Sequence, residues 1–339
     1  NNSITEISYE ISDLFTDVDN LWEVVYKMQK DMDNMSYEMQ EMQERINELE
    51  NMTSCRLVPY SNCAGTDFNN TNLSGMDLTG INLEGADFSY VNLSNAKLDY
   101  ARLNHVEFTG SNLTGATFVF AEINYGRMQS TVLVDSYFGY ADLKNIRLAY
   151  SNLTDANLRN ADLTGANLYG ADLTDADLDF AYLTNANFQD ADLTGAGLTG
   201  AYLTGANLYG ADLTDANLYG ADLTGANLRY ADLTDAGLYN ADLTDADLDY
   251  ADLTDAGLDH ADLTGADLRY ADLTDADLNY ADLTNANFLE ADLTGADLRY
   301  TDLKFANFDG ATVTDADFSY TYWHQTIWTD GLRYDSNQA

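Results

Sequence analysis

The sequence predicts a β-solenoid, a chain wound around one axis in short repeated turns, preceded by a long N-terminal α-helix. Residues 66–320 keep a five-residue phase without an insertion, which is 255 residues or 51 pentapeptides. Residues 4–49 keep a seven-residue apolar repeat instead. We therefore divide the chain into a heptad helix at 1–50, a loop and N-terminal cap at 51–65, the repeat body at 66–320, and a C-terminal cap and tail at 321–339.

The first segment predicts a coiled-coil helix for oligomerisation. A seam of apolar residues spaced three and four apart needs a partner helix, because it cannot remain exposed to water. No other segment has this pattern, so we expect the partner to be a second copy of the chain. Packing of the helix against its own solenoid is the alternative, and dimer and trimer both stay open. The seam residues are Ile4, Ile7, Ile11, Leu14, Val18, Leu21, Val25, Met28, Met32, Met35, Met39, Met42, Ile46 and Leu49.

The second segment contains both cysteines of the chain. Cys55 and Cys63 lie eight positions apart among polar residues, in TSCRLVPYSNCAG. A close pair in such a segment predicts one local disulfide, with two free thiols as the alternative. A zinc site would need further ligands nearby, and the segment has none.

The body repeats a small residue, usually alanine, two positions before a leucine or phenylalanine. ADLTGADLRY, residues 261–270, is a regular example. Two apolar residues separated by one polar residue point the same way only in an extended chain. Three extended residues followed by a two-residue turn, repeated, wind the chain around an axis, with the apolar pairs inside. Each winding then buries its core only against its neighbours.

The tandem A(D/N)LXX pattern resembles the pentapeptide-repeat protein family over about three quarters of the chain. The resemblance implies a right-handed quadrilateral β-helix with four pentapeptides per coil. Dividing 51 by 4 gives about thirteen coils, and stacking at about 4.8 Å gives a rod of roughly 60 Å. The family resemblance also implies end caps. Trp323 and Trp328 continue the inward phase and are expected to cover the last coil, with an exposed patch for head-to-tail stacking as the alternative.

The charge restricts the partners. Asp and Glu number 57 against 15 Lys and Arg, a formal charge of -42. Such a chain is not expected to bind nucleic acid or anionic membranes. This charge suits solubility in high salt, binding of cations, binding of a basic protein partner, or imitation of a polyanion. Disorder is excluded because 45% of residues are hydrophobic and strictly patterned, and no apolar run is long enough to span a membrane.

With four pentapeptides per coil, residues twenty apart stack in columns. The carboxylates of one such column repel each other by roughly 1 kcal/mol per neighbouring pair even in water. Calcium or other cations relieve this repulsion in one hypothesis; in the other, Asp merely suits the slot and is solvated. Tyrosines form similar rows, which indicate stiffening or contact with a partner or a carbohydrate. The candidate cation ladder is Asp232, Asp252, Asp272 and Asp292.

Glycosylation motifs indicate the location. Eight Asn-X-Ser/Thr sequons occur, at Asn1, Asn34, Asn51, Asn69, Asn72, Asn92, Asn112 and Asn152. After Asn152 they stop: fourteen comparable slots before Leu-Thr, from 162 to 292, hold Asp or Tyr. Recent duplication of one ADLT unit is one explanation. Our prediction is N-linked glycans on the near half and the helix, a bare far half, and an extracellular or cell-surface protein.

No catalytic motif is present. His105, His260 and His324 are far apart, and identical Asp columns lack the asymmetry that separates a general acid from a base. We expect a non-enzymatic structural protein without a required cofactor, the subunit of a stalk, fibre or filament. The family resemblance implies an alternative, an acidic DNA mimic that inhibits an enzyme such as gyrase. The sequons, the cysteine pair and the helix argue against it. A surface adhesin that uses the tyrosine rows is a second alternative.

Overall fold

The computed structural model describes residues 55–336. Across this range one residue of each pentapeptide forms a parallel β-bridge with the residue twenty positions later, from Asn62 with Asn82 to Asn307 with Ile327. Twenty residues per coil is four pentapeptides, so the body is a four-sided solenoid. The heptad helix and the sequons at Asn1, Asn34 and Asn51 lie outside the described residues and stay predictions.

Each pentapeptide forms one side of a coil. We number its positions 1 to 5, with position 1 at residue numbers that end in 1 or 6. Face 1 comprises residues 61–65 and every pentapeptide at twenty-residue intervals after it. Faces 2, 3 and 4 begin at 66, 71 and 76 and continue in the same way.

In most pentapeptides four of the five backbone N–H groups are satisfied by backbone carbonyls. Position 2 donates to position 1 of the preceding coil, and positions 3 and 5 donate to positions 2 and 4 of the following coil. Position 1 donates to position 3 of the preceding pentapeptide and closes a turn. For Asp232, Leu233 and Asp235 at positions 2, 3 and 5, and for Ala236 at position 1 of the next pentapeptide, these N···O distances are 3.0, 2.7, 3.0 and 3.0 Å.

The turn fixes the conformation of position 5. Every position-5 residue from Gly65 to Gln325 has a positive φ. A four-residue turn with a positive φ only at its third residue has the type II pattern, which favours glycine and asparagine there. Tyrosines also occupy this slot, for example Tyr300 with φ 61°, so their side chains must offset a backbone strain that glycine would not incur.

The interior is filled by positions 1 and 3. Leu253, Leu273 and Leu293 have no exposed surface, and the alanines beside them are buried as well. Phenylalanines stack on one another within the core, with 4.6 Å between the ring centroids of Phe68 and Phe88. The predicted inward pairing of small and large residues therefore describes the core, because a four-sided coil leaves room for only two inward side chains on each side.

The C-terminal end carries the two regular strands of the described range, β1 (Thr326–Ile327) and β2 (Arg333–Tyr334). They form an antiparallel hairpin, with Thr326 opposite Tyr334 and Ile327 opposite Arg333. No helix among residues 55–336 has the length and apolarity needed to cross a membrane.

The solenoid extends beyond the predicted bounds of 66 and 320 at both ends. Asn62 already bridges Asn82, and Cys63 fills the large inward slot. At the other end Ile327 bridges Asn307. The sequence phase was hidden at the start because a cysteine replaces the usual leucine.

Candidate functional surfaces

The preference for Asp or Asn at position 2 has a local structural cause. The N–H of position 4 is the backbone donor that the ladder leaves over, and the side chain of position 2 accepts from it. Asp232 Oδ1 lies 3.0 Å from the Thr234 nitrogen and 2.6 Å from Thr234 Oγ1. Asn112 does the same for Thr114, at 3.1 and 2.7 Å. The Asp-Leu-Thr motif is therefore a repeated Asx-type turn.

Two exceptions at position 2 show that a side chain of the preceding coil can satisfy this donor instead. Gly197 has no side chain to offer, and the Thr199 N–H donates instead to Asp179 Oδ1 of the preceding coil, at 2.8 Å. Where position 2 is Thr117, the Val119 N–H donates to Asp99 Oδ1, at 2.9 Å. Sequence reasoning recognised the slot preference but missed this role, which requires an account of every backbone donor.

Face 3 is the acidic side of the solenoid. Its position-2 column holds asparagine or valine up to Asn152 and aspartate from Asp172 to Asp292, and position 5 adds further carboxylates such as Asp235. Between residues 71 and 315 it contains no Lys or Arg. The ladder Asp232, Asp252, Asp272 and Asp292 is one bridged column on this face. Among residues 55–336 no cluster of His, Cys, Asp and Glu is arranged to hold a metal ion.

The other faces carry basic residues that pair with their carboxylates. On face 1, Lys144 Nζ lies 2.7 Å from Asp142 Oδ1 and 2.8 Å from Asp162 Oδ2. Partial burial of Asp162 works to raise its pKa, but hydrogen bonds from Lys144 and Thr164 outweigh it and the pKa is lowered. The hydrogen bonds that Lys144 donates to Asp142, which has the larger effect, and to Asp162 raise the pKa of Lys144.

Face 2 contains a buried carboxylate. Asp249 is only 4% exposed, and its Oδ2 lies 2.9 Å from Arg229 Nη2 and 3.8 Å from Arg269 Nη2. Its Oδ1 has no hydrogen-bond partner among the described residues. Arg229 and Arg269 are forty residues apart in the sequence, which places them in one column, two coils apart.

Tyrosines form stacked columns on two opposite faces. On face 4 the ring centroids of His260, Tyr280, Tyr300 and Tyr320 are separated by 4.9, 4.7 and 4.8 Å, with nearly parallel planes. On face 2, Tyr230, Tyr250 and Tyr270 are separated by 5.0 and 4.8 Å. Neighbours cover both faces of each inner ring, so the columns offer ring edges to a ligand. This arrangement favours stiffening over sugar stacking.

Five predicted sequons fall in the described range. Asn72, Asn92, Asn112 and Asn152 occupy position 2 of face 3, in the column that continues as the Asp ladder. Asn69 occupies position 4 of face 2, and its Nδ2 donates to Asp87 Oδ2 at 3.1 Å. The structure therefore places four of these asparagines in one row and separates the fifth.

The predicted cap residues lie at the two ends. Cys55 and Cys63 are both disulfide-bonded. Trp323 and Trp328 are 5% and 9% exposed, with ring centroids 4.9 Å apart. Trp323 Nε1 donates to Thr321 Oγ1 at 2.7 Å, so the indole nitrogen is satisfied although the ring is buried.

The three histidines have separate surroundings. His105 stacks on Tyr125 and His260 on Tyr280. His324 Nδ1 lies 3.4 Å from Asp335. The structure brings none of them near another histidine.

A family model described as pentapeptide repeats matches residues 61–124 and 141–321. The stretch between the matches has unusual residues at inward slots, such as Gly126 and Met128, but its bridges continue: Arg127 pairs with Arg147. None of the curated proteins matches the chain.

The chain is similar to 35 chains of solved structures, among them the following three. HetL, a pentapeptide repeat protein involved in heterocyst differentiation regulation from the cyanobacterium Nostoc, is 27% identical, with 83% of this chain and 94% of that chain covered and a TM-score of 0.27. A pentapeptide repeat protein from the Arabidopsis thaliana thylakoid lumen is 36% identical, covering 30% and 70%, with a TM-score of 0.29. Full-length QnrB1, a plasmid-mediated fluoroquinolone resistance protein, is 17% identical, covering 59% and 94%, with a TM-score of 0.27.

Proposed function

We propose that this chain, which belongs to the pentapeptide-repeat family, is a non-enzymatic structural protein that forms an oligomeric stalk, fibre or filament outside the cell. The family fold is a right-handed quadrilateral β-helix, and its members are generally structural or regulatory proteins without enzymatic activity. The proposal adds to this a specific role in assembly.

The observation that carries the proposal is the uninterrupted solenoid. Bridges run from Asn62 to Ile327 without an inserted loop, and the inward slots are filled by buried side chains. Active sites are generally clefts that hold a few convergent polar groups. A body without inserted loops offers flat sides and two ends, which suit contacts with other macromolecules.

The heptad segment supplies the proposed means of oligomerisation. Its apolar seam from Ile4 to Leu49 needs a partner helix, while the body acts as a stiff spacer. With 51 pentapeptides in 66–320, four to a coil, the spacer has about thirteen coils and a length of roughly 60 Å.

The cysteines and sequons support a location outside the cytosol. Disulfides such as the one that joins Cys55 and Cys63 persist in oxidising compartments. Sequons are acceptors for glycans in secreted proteins. The strongly negative surface further suits contact with a basic protein or a cell-surface partner.

Electron microscopy and light scattering of the full-length protein test the assembly. We expect defined oligomers or fibres, and we expect Leu21→Asp, which places a charge in the heptad seam, to reduce them to monomers. Asn20→Asp introduces the same charge at a heptad position outside the predicted seam and serves as the control. Monomers in the unaltered protein, or assemblies that Leu21→Asp leaves intact, would contradict the proposal.

One observation favours a second function, imitation of DNA. Face 3 presents columns of carboxylates without a basic residue between 71 and 315, which resembles a strand of phosphates in charge. A gyrase supercoiling assay separates the two functions. The structural role predicts no inhibition at protein concentrations well above that of the enzyme; stoichiometric inhibition would favour the mimic.

A further inference from the structure

Two columns of asparagine occupy the same backbone slot on different faces. Both lie at position 2, where the side-chain Oδ1 accepts from the N–H of position 4. They differ in the use of the amide nitrogen, Nδ2. The face-3 column contains Asn72, Asn92, Asn112 and Asn152, and the face-2 column contains Asn167, Asn187, Asn207 and Asn227.

On face 2 the amide nitrogens form a ladder between coils. Asn187 Nδ2 donates to Asn167 Oδ1 at 3.3 Å, Asn207 to Asn187 at 2.8 Å, and Asn227 to Asn207 at 3.0 Å. The amide nitrogens of Asn187, Asn207 and Asn227 therefore each have a structural role. The residue two positions later is Tyr, Gln or Arg, so none of these asparagines lies in a sequon.

On face 3 the amide nitrogens make no such bond to any residue within 55–336. Oδ1 of Asn112 and Asn152 instead accepts from the hydroxyl of the threonine two positions later, at 2.7 Å in both cases. Oδ1 of Asn72 and Asn92 accepts from the N–H of the following serine, at 3.2 and 3.1 Å. The carbonyl is engaged, and the nitrogen on an outward side chain is left available.

Asn69 has the same sequence motif in a different setting. Its Oδ1 is buried and its Nδ2 donates to Asp87. The hydroxyl of Thr71, which completes the motif, donates to the Phe68 carbonyl at 2.7 Å and not to the Asn69 side chain. The hydroxyl is therefore bonded away from the asparagine here, whereas in the sequons of Asn112 and Asn152 it is bonded to the asparagine side chain.

We propose that Asn72, Asn92, Asn112 and Asn152 carry N-linked oligosaccharides and that Asn69 does not. In this transfer a bond forms between Nδ2 and C1 of the sugar. The bond between C1 and the phosphate oxygen of a lipid-linked oligosaccharide donor breaks, the phosphorylated lipid leaves, and the amide nitrogen gives up one proton. The proposal rests on the extracytoplasmic location proposed above.

The row marks one end of face 3. In its column Val132 occupies the coil between Asn112 and Asn152, and Asp172 follows Asn152. Because Asp and Asn accept the same backbone hydrogen bond, this change alters charge and modification without altering the fold. Face 3 is then sugar-covered over its N-terminal coils and bare and acidic over the rest.

Mass spectrometry of the full-length native protein tests the assignment. Reduction and trypsin give peptides 103–127 and 148–159, each with one sequon, and 57–97, with three. We expect hexose or hexosamine mass on Asn112, on Asn152, and on Asn72 and Asn92 but not on Asn69. Unmodified face-3 asparagines, or sugar on Asn69 in their place, would overturn the proposal. If fibres form without sugar, the glycosylation proposal fails and the assembly proposal stands. If sugar is present and no fibres form, the assembly proposal fails and the glycosylation proposal stands.

Matched variants in a host that glycosylates secreted proteins test the geometry. Thr154→Ala should abolish sugar on Asn152. Thr174→Ala loses the same hydroxyl bond, to Asp172 at 2.7 Å, without touching a sequon, and serves as the stability control. Asp172→Asn creates a sequon on face 3 and should gain sugar.

Tyr209→Thr creates a sequon at Asn207, whose nitrogen is held in the face-2 ladder, and should gain little or none. Equal occupancy in Asp172→Asn and Tyr209→Thr would show that the motif alone decides, and the geometric assignment would fail.

Discussion

Aspartate and asparagine at position 2 accept the same hydrogen bond and differ in charge. Asp232 accepts from both the nitrogen and the hydroxyl of Thr234. Its neighbours in the column are Asp212 and Asp252. Hydrogen bonding therefore stabilises the turn, while repulsion along the column opposes it.

Two substitutions of Asp232 separate these effects. Asp232→Ala leaves the Thr234 N–H without its acceptor and should lower the free energy of unfolding by about 1 kcal/mol. Asp232→Asn keeps the acceptor and removes a like charge, so it should be neutral or slightly stabilising. Urea denaturation measures both; equal destabilisation would mean that the hydrogen bond is not what the slot requires.

Tyr300 combines a favourable stack with an unfavourable backbone conformation. Its ring lies between Tyr280 and Tyr320, and its φ is 61°. Tyr300→Ala loses the stack and keeps the strain, whereas Tyr300→Gly loses the stack and relieves the strain. We expect Ala to be less stable than Gly by about 1 kcal/mol, as measured by urea denaturation. The reverse order would exclude backbone strain as the explanation.

At the scale of the coil, stability depends on the inward pair. Leu253 is fully buried between equivalent leucines above and below. Leu253→Ala should cost about 2–5 kcal/mol, because stacked coils restrict collapse around the cavity. Leu289→Ala, at an outward position 4, should cost no more than about 0.5 kcal/mol. Similar losses for the two variants in urea titrations would contradict the inward assignment.

Much of the coil could be predicted from the sequence. The five-residue phase places Leu253 inside and Asp232 outside, and the family resemblance supplied four pentapeptides per coil, from which the columns follow. The Thr234 N–H that Asp232 satisfies could not be predicted, since it depends on which backbone donors the ladder leaves over. The burial of Asp249 between two arginines depends on side-chain packing across coils. Neither the hydrogen bond of Asp232 nor the burial of Asp249 can be inferred from the spacing of residues in the sequence.

For the whole molecule, acid should be destabilising. Hydrogen bonds from the Thr79 hydroxyl and N–H lower the pKa of Asp77. In Asp162 and Asp222 hydrogen bonds outweigh burial and lower the pKa. Groups whose pKa is lowered on folding stabilise the protein above their unfolded pKa, and this contribution is lost as pH falls through the folded pKa.

The melting temperature should therefore decrease as the pH is lowered below about 4. The double variant Asp162→Asn, Asp222→Asn should show a smaller fall. A melting temperature that rises between pH 5 and 3 would mean that relief of repulsion dominates.

Salt should act through screening. The formal charge of -42 and the unpaired acidic columns of face 3 predict a melting temperature that rises by several degrees between about 0.1 and 1 M NaCl, as the Debye length shortens. Calcium at matched ionic strength should add nothing, because the carboxylates are spaced along a column and not gathered around one point. A specific calcium increment, removed by Asp252→Asn, would instead identify the ladder as a cation site.

Because each coil contains twenty residues, only some insertions and deletions keep the columns in register. Removal of residues 231–250 would shorten the body by one winding and leave every column continuous. Removal of 231–235 alone would turn everything beyond it by a quarter revolution, so that the carboxylate column would continue onto the side that carries arginines and tyrosines. Length can therefore vary in whole windings, and smaller steps change which surface meets a neighbour.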